Sequence, residues 1–166
     1  MPLIKLNATQ GLTGTLPAVS GANLTNIDGG KVLQVKTTTD ETPRSTTSTS
    51  YTTASNALAV EITPTSASSK IFITMTTTVS SPSNTYAGHI TLYRGSTNLC
   101  TNQFINAHGT STYQVEGGAI SFLDSPNTTS ATTYQVYIKV QGGAPNGVTI
   151  NHGTSKGTIT AFEIGA

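Results

Sequence analysis

The tetrapeptide His-Gly-Thr-Ser occurs twice, at residues 108–111 and 152–155, with Asn106 and Asn151 just upstream. Imidazole nitrogens hold metals and anions, and in a symmetric oligomer one histidine near the axis becomes several. His108 and His152 are therefore the candidates for a metal or anion site. The plainer reading of both copies is a turn in a chain rich in Thr, Ser and Gly. Of the seven carboxylates, only Asp40 and Glu41 are neighbours, and their surroundings, TTTDETPR, read as a solvated loop. Hydrolysis by paired acids needs two carboxylates held across a cleft, and nothing in the spacing suggests one. There is no G-x-S-x-G elbow, Walker loop, G-x-G-x-x-G or H-E-x-x-H. The sequence thus assigns no catalytic residue, no cofactor and no metal, and the chain reads as a non-enzyme.

The other reactive side chains have ordinary readings. Cys100 is the single cysteine, so no intrachain disulfide is possible, and a small buried hydrophobe is expected there. His89 falls within a strand pattern and is expected at a surface or interface. Tyr86, Tyr93, Tyr113, Tyr134 and Tyr137 offer apolar rings with a hydroxyl, the chemistry that stacks on sugars. Trp is absent, and packing in a core or interface is the simpler role for most of these tyrosines.

Positioning such groups falls to β-structure. Fifty of the 166 residues are Thr or Ser, while charged residues make up only 9%. Thr is β-branched and suits a pleated, half-exposed surface, and the Lys, Glu and Arg that build soluble helices are scarce. Short segments with apolar/polar alternation run from Lys31 to the end: 31–36, 57–62, 70–80, 88–94, 118–124, 132–140, 147–150 and 157–164. In 70–80, Ile71, Ile73, Met75 and Val79 share one face. In 88–94, Ile90 and Leu92 are expected inward, with His89, Thr91 and Tyr93 opposite. In 132–140 the apolar face is Tyr134, Val136, Ile138 and Val140. Turn chemistry separates the strands, as at Gly95-Ser96 and Asn146-Gly147. The expected fold is all-β, an antiparallel jelly-roll-like sandwich with an extended N-terminal segment. The last strand, which runs almost to Ala166, is expected inside a sheet.

Residues 1–30 have a different texture, with five glycines, isolated apolar residues and no sustained alternation. Leu12, Leu16, Leu24 and Ile27 cannot bury themselves within so short a segment, so copies of the chain or a partner protein are expected to cover them. The chain divides into an attachment or shaft segment, 1–30, and a sandwich domain, 31–166. A net charge of +1 without a basic stripe argues against nucleic acid. No apolar run approaches a membrane span, and MPLIKL is too short for a signal-peptide core, so use without export is expected. Neutral sheet faces and edges point to association.

The segment NATQGLTGTLPAVSGANLTNI (7–27) resembles the N-terminal segments of tail-fibre-like proteins of marine bacteriophages. ITPTSASSKIFIT (62–74), LYRGSTNL (92–99) and SFLDSPNTTSATTYQVYIKV (121–140) resemble the knob domain of such virion proteins. The resemblance implies a homotrimer, joined to other virion proteins through residues 1–30 and displaying a β-sandwich knob toward a host-surface glycan or protein. It implies assembly in the host cytoplasm and location on the virion, and it carries no catalytic residues. Host contacts are expected in loops 80–88, 101–116 and 141–147. The chain is short beside fibres with long shafts, so the alternative is a capsid decoration or head-fibre protein. A polysaccharide depolymerase and a free-standing lectin-like module are the readings from other classes.

Overall fold

A computed structural model describes residues 31–81, 87–100, 114–141 and 147–165. The expectations for Leu12, Leu16, Leu24, Ile27, Tyr86, His108 and Tyr113 lie outside the described residues. The strands are β1 (Val32–Asp40), β2 (Arg44–Thr46), β3 (Ala59–Ile62), β4 (Lys70–Ser81), β5 (Gly88–Arg94), β6 (Thr97–Asn98), β7 (Gln114–Asp124), β8 (Thr132–Val140), β9 (Val148–Ile150) and β10 (Gly157–Ile164). A single 3-10 turn, His152–Thr154, is the one helical element among the described residues, and no helix there is long and apolar enough to cross a membrane.

All the pairings are antiparallel. β1 continues into β2, and β9 into β10, so each pair is one strand with a break. One sheet then runs β1/β2, β9/β10, β4, β7, and the other runs β3, β8, β5, β6. Numbered as eight strands, the orders are 1-8-3-6 and 2-7-4-5, those of a jelly roll. The final strand lies between β1 and β4, as its sequence position suggested.

The core forms where the two inner faces meet. Ile71, Ile73, Met75 and Ile159 from one sheet pack against Ile90, Leu92, Val136 and Ile138 from the other, all buried. The alternation in 70–80 and 132–140 predicts this face correctly. In β5 the expectation fails on one side: His89 and Thr91 are buried along with Ile90 and Leu92. Alternation reports which residues share a face and cannot report that both faces of a strand are covered.

The breaks in β1/β2 and β9/β10 lie side by side and are locked by polar side chains. Asn151, fully buried and in the left-handed region, accepts from the Thr77 hydroxyl at 2.8 Å and donates to the Thr42 carbonyl at 3.2 Å. Asp40 is not the solvated loop residue that its sequence surroundings imply. It is buried at the end of β1, and its carboxylate accepts the backbone N–H groups of Thr42 and Ala57, each at 2.9 Å. Burial raises its pKa, and those hydrogen bonds outweigh that and hold it below the ordinary value. Glu41 is exposed and pairs with Lys156 at 2.7 Å across the break. Gly157 closes this region, because a Cβ there would lie 2.4 Å from Asn151 Oδ1.

Directly paired residues share a face, so the register gives the outer surface of the β1–β10–β4–β7 sheet row by row. One row is Val35, Phe162, Phe72, Leu123. The next is Thr37, Thr160, Thr74, Ser121, with the Thr37 and Thr160 hydroxyls hydrogen-bonded to each other. The third is Thr39, Thr158, Thr76, Ala119. None of these twelve side chains is charged. Val32, Leu33 and Val35, the apolar residues of the first strand, stand exposed at one edge of this sheet, and Leu123 on β7, at the other edge, is 52% exposed.

Candidate functional site

β4 has twelve residues and spans roughly 37 Å from Lys70 to Ser81. At its Lys70 end lies the start of the sandwich: Val32 pairs with Ile164, Ile164 with Lys70, and Gly165 N–H donates to the Lys31 carbonyl at 2.9 Å. At its Ser81 end lie the anchors of three connections. Ser81 pairs with Gln114, and Gly88 pairs with Val140. Gly88 also packs so closely on Val148 that a Cβ would meet its Cγ2 at 2.3 Å. The connections 82–86 and 142–146, and the return of 101–113, therefore start or finish together at the end of the sandwich opposite Lys31. These are the loops in which host contacts are expected, and the residues between the anchors lie outside those described.

On the outer face of the β3–β8–β5–β6 sheet, strand register assembles an aromatic cluster. Tyr93 pairs with Gln135 and Thr91 with Tyr137, which makes Tyr93 and Tyr137 diagonal neighbours. Their rings stack with centroids 4.0 Å apart and planes at 26°. The Thr52–Ile138 bridge brings in Tyr51, edge-on to Tyr93 at 6.3 Å, and Lys139 Nζ sits 4.6 Å over the Tyr51 ring. Burial, with smaller contributions from Tyr93 and Cys100, pushes the Tyr51 hydroxyl above its ordinary pKa. Apolar rings rimmed by hydroxyls beside a cation can take the apolar face of a sugar or another flat polar ligand. Sequence reading missed Tyr51. It sits in a Thr/Ser-rich connection without alternation, and only the bridge to β8 shows that it belongs to a sheet face.

Tyr134 is instead fully buried, and its hydroxyl donates to Asp124 Oδ2 at 2.7 Å. Burial first, then Asp124, drives the Tyr134 pKa far upward. Arg94 Nη1 meets both Asp124 oxygens at 2.9 and 2.7 Å. Asp124 thus ties β7 of one sheet to β5 and β8 of the other.

Glu163 is fully buried and, among the described residues, has no cationic partner. Gln34 Nε2 donates to it at 2.7 Å, as do the Thr65 backbone N–H and hydroxyl, each at 2.7 Å. Burial raises the Glu163 pKa, but these donors outweigh it and bring the carboxyl down to about 2. An anion so fully engaged is a strut at the Lys31 end of the sandwich, where Gln34 also reaches the Thr63 carbonyl.

His152 begins the 3-10 turn between β9 and β10, with Gly153 in the left-handed region at φ 66°. The turn reading of this HGTS copy is therefore correct. Among the described residues, no group of three or more His, Cys, Asp or Glu side chains gathers in a way that could hold a metal ion. His89 lies in the covered part of β5, where burial and then Lys139 lower its pKa, so the surface or interface position expected for it is corrected to one buried within the sandwich. Cys100 is buried, with its thiol pKa pushed up by burial, as a small core hydrophobe. No family model matches the chain, and no curated protein matches it.

Proposed function

We propose that this chain is a non-enzymatic structural protein of a bacteriophage virion. In this reading it is a homotrimeric tail fibre or spike that joins the particle through residues 1–30 and displays the sandwich for binding a host surface. The observation that carries the reading is the polarity of the jelly roll. The chain reaches the sandwich at one end of β4, and three loops are anchored at the other, roughly 37 Å away. That layout suits a domain held at its base and read at its tip. The resemblance of residues 7–27 and 121–140 to phage fibre proteins supplies the class of particle. Tyr51, Tyr93 and Tyr137 offer a second, lateral surface of the kind that stacks on glycans.

The test is incorporation into particles. A chain lacking residues 1–30 should be absent from purified virions, while full-length protein with substitutions in 142–146 should incorporate normally and fail to support adsorption. Normal incorporation of the truncated chain would overturn the assigned roles of the two ends. Gold labelling of intact particles separates the two placements, with signal at the tail expected and signal over the head favouring capsid decoration.

A further inference from the structure

We propose that the outer face of the β1–β10–β4–β7 sheet is the surface through which copies of this chain pack against one another. The inference rests on the homotrimeric reading and assigns its contact.

Charge is the first argument. A surface that meets a copy of itself, or the flank of a symmetry mate, risks bringing like charges together. Three full rows across four strands here hold no charged side chain, and the nearest charge in register is Lys70, on the middle strand β4 in the next row. At the strand breaks, Glu41 and Lys156 neutralise each other. A partner selected by charge would find nothing to read, whereas a copy of the chain finds a match.

The distribution of apolar groups is the second argument. Phe72 and Phe162 sit side by side in the middle strands, with ring centroids 6.2 Å apart. Val35 and Leu123 flank them, 51% and 52% exposed, and Val32 stands exposed beyond at 56%. Central aromatics bordered by aliphatics and then by hydroxyls reproduce the core and rim of a protein interface.

Size and direction complete the case. With the row of Val32, Ile164 and Lys70 added to the three uncharged ones, four strands by four rows cover roughly 19 by 27 Å, about 500 Å² on each side. Packed against the flank of a symmetry mate, which loses a similar area, it makes a contact of the ~1,000 Å² that a specific interface needs. The face runs along the length of β4, between the Lys31 end and the loop-anchor end. Copies related by an axis parallel to β4 and joined through it would have all their N-terminal segments at one end and all their loops at the other.

The experiment is sedimentation analysis of full-length protein across micromolar concentrations, for the natural chain and for Phe72→Lys, Leu123→Lys and Val35→Lys. Thr133→Lys, at an exposed position on the other sheet, is the control. The natural chain and the control should sediment as a trimer near 51 kDa, three times 17.1 kDa. The face variants should fall threefold in mass with their β-sheet circular dichroism intact. Leu123 and Val35 are already half exposed, so their variants decide the matter if Phe72→Lys fails to fold. Trimeric face variants would overturn this contact while leaving the trimer standing. A natural chain that is monomeric throughout would overturn both.

Discussion

On the outer face of the β1–β10–β4–β7 sheet, three rows hold threonines, a serine, an alanine and a band of Val, Phe, Phe and Leu. On the outer face of the opposite sheet, the register instead places Glu61, His89 and Lys139 among Gln135, Tyr93 and Tyr137. Both faces arise from the same alternation around one core. Over those rows the first is uncharged and has apolar side chains half open to water. The second engages its polar groups locally: Lys139 over Tyr51, Gln135 Nε2 on Asn56 Oδ1 at 3.0 Å, and the Thr91 hydroxyl on Asn98 Oδ1 at 2.6 Å. The two sides of one β-sandwich thus differ, one leaving apolar side chains open to water and the other engaging its polar groups within the monomer.

Substitutions can break that division or sharpen it. The largest effect is expected from Asp124→Ala, which strands the Arg94 guanidinium and the buried Tyr134 hydroxyl. It should cost about 3 kcal/mol in urea unfolding and weaken both faces together, since Asp124 joins the sheets. Loss on only one face, read by local hydrogen exchange, would show the sheets to be less coupled than the geometry indicates.

Glu163→Gln should cost about 2 kcal/mol by replacing an anion that accepts three hydrogen bonds. It should also change the acid limb of stability. With its folded pKa near 2, below the ordinary carboxylate value, Glu163 contributes stability that is complete above about 4.5 and fades as pH falls toward 2. His89 acts earlier and on the other face. Its folded pKa lies below 6.5, so the unfolded chain takes up a proton first, and stability declines once pH drops below 6.5. Urea midpoints measured from pH 8 to pH 2 should fall in two stages, with Glu163→Gln flattening only the lower one.

Tyr137→Ala removes a stacked ring from the second face and should cost about 1 kcal/mol beyond the loss of buried area, with no change in oligomer mass. A fall in mass would show that the tyrosine face also joins copies. The smallest effect is expected for Lys139→Met, about 0.5 kcal/mol for the lost cation–ring contact, detectable as a slight drop in thermal midpoint.

Much of the architecture was legible before the structure. Ile71, Ile73, Met75 and Val79 alternate over enough residues to name the inner face of β4, and the same holds for Tyr134 through Val140 in β8. The turn at His152 followed from the residue types alone. Less legible were groups whose role depends on a distant segment. Asp40 looks solvated beside Glu41 and Thr42 until Ala57 arrives to donate to it. His89 looks exposed because one side of β5 is apolar, yet both sides are covered. Tyr51 carries no local signal at all.

By itself, the amino-acid sequence determined the β-class of this protein, its low charge and the inner faces of its longest strands, because side-chain period and residue propensity are local properties. Only the tertiary structure decided that Val35, Phe162, Phe72 and Leu123 stand in one row. It alone placed Lys31 and the loop anchors at opposite ends of β4. Register between strands far apart in sequence is set by closure of the whole jelly roll, and no single segment encodes it.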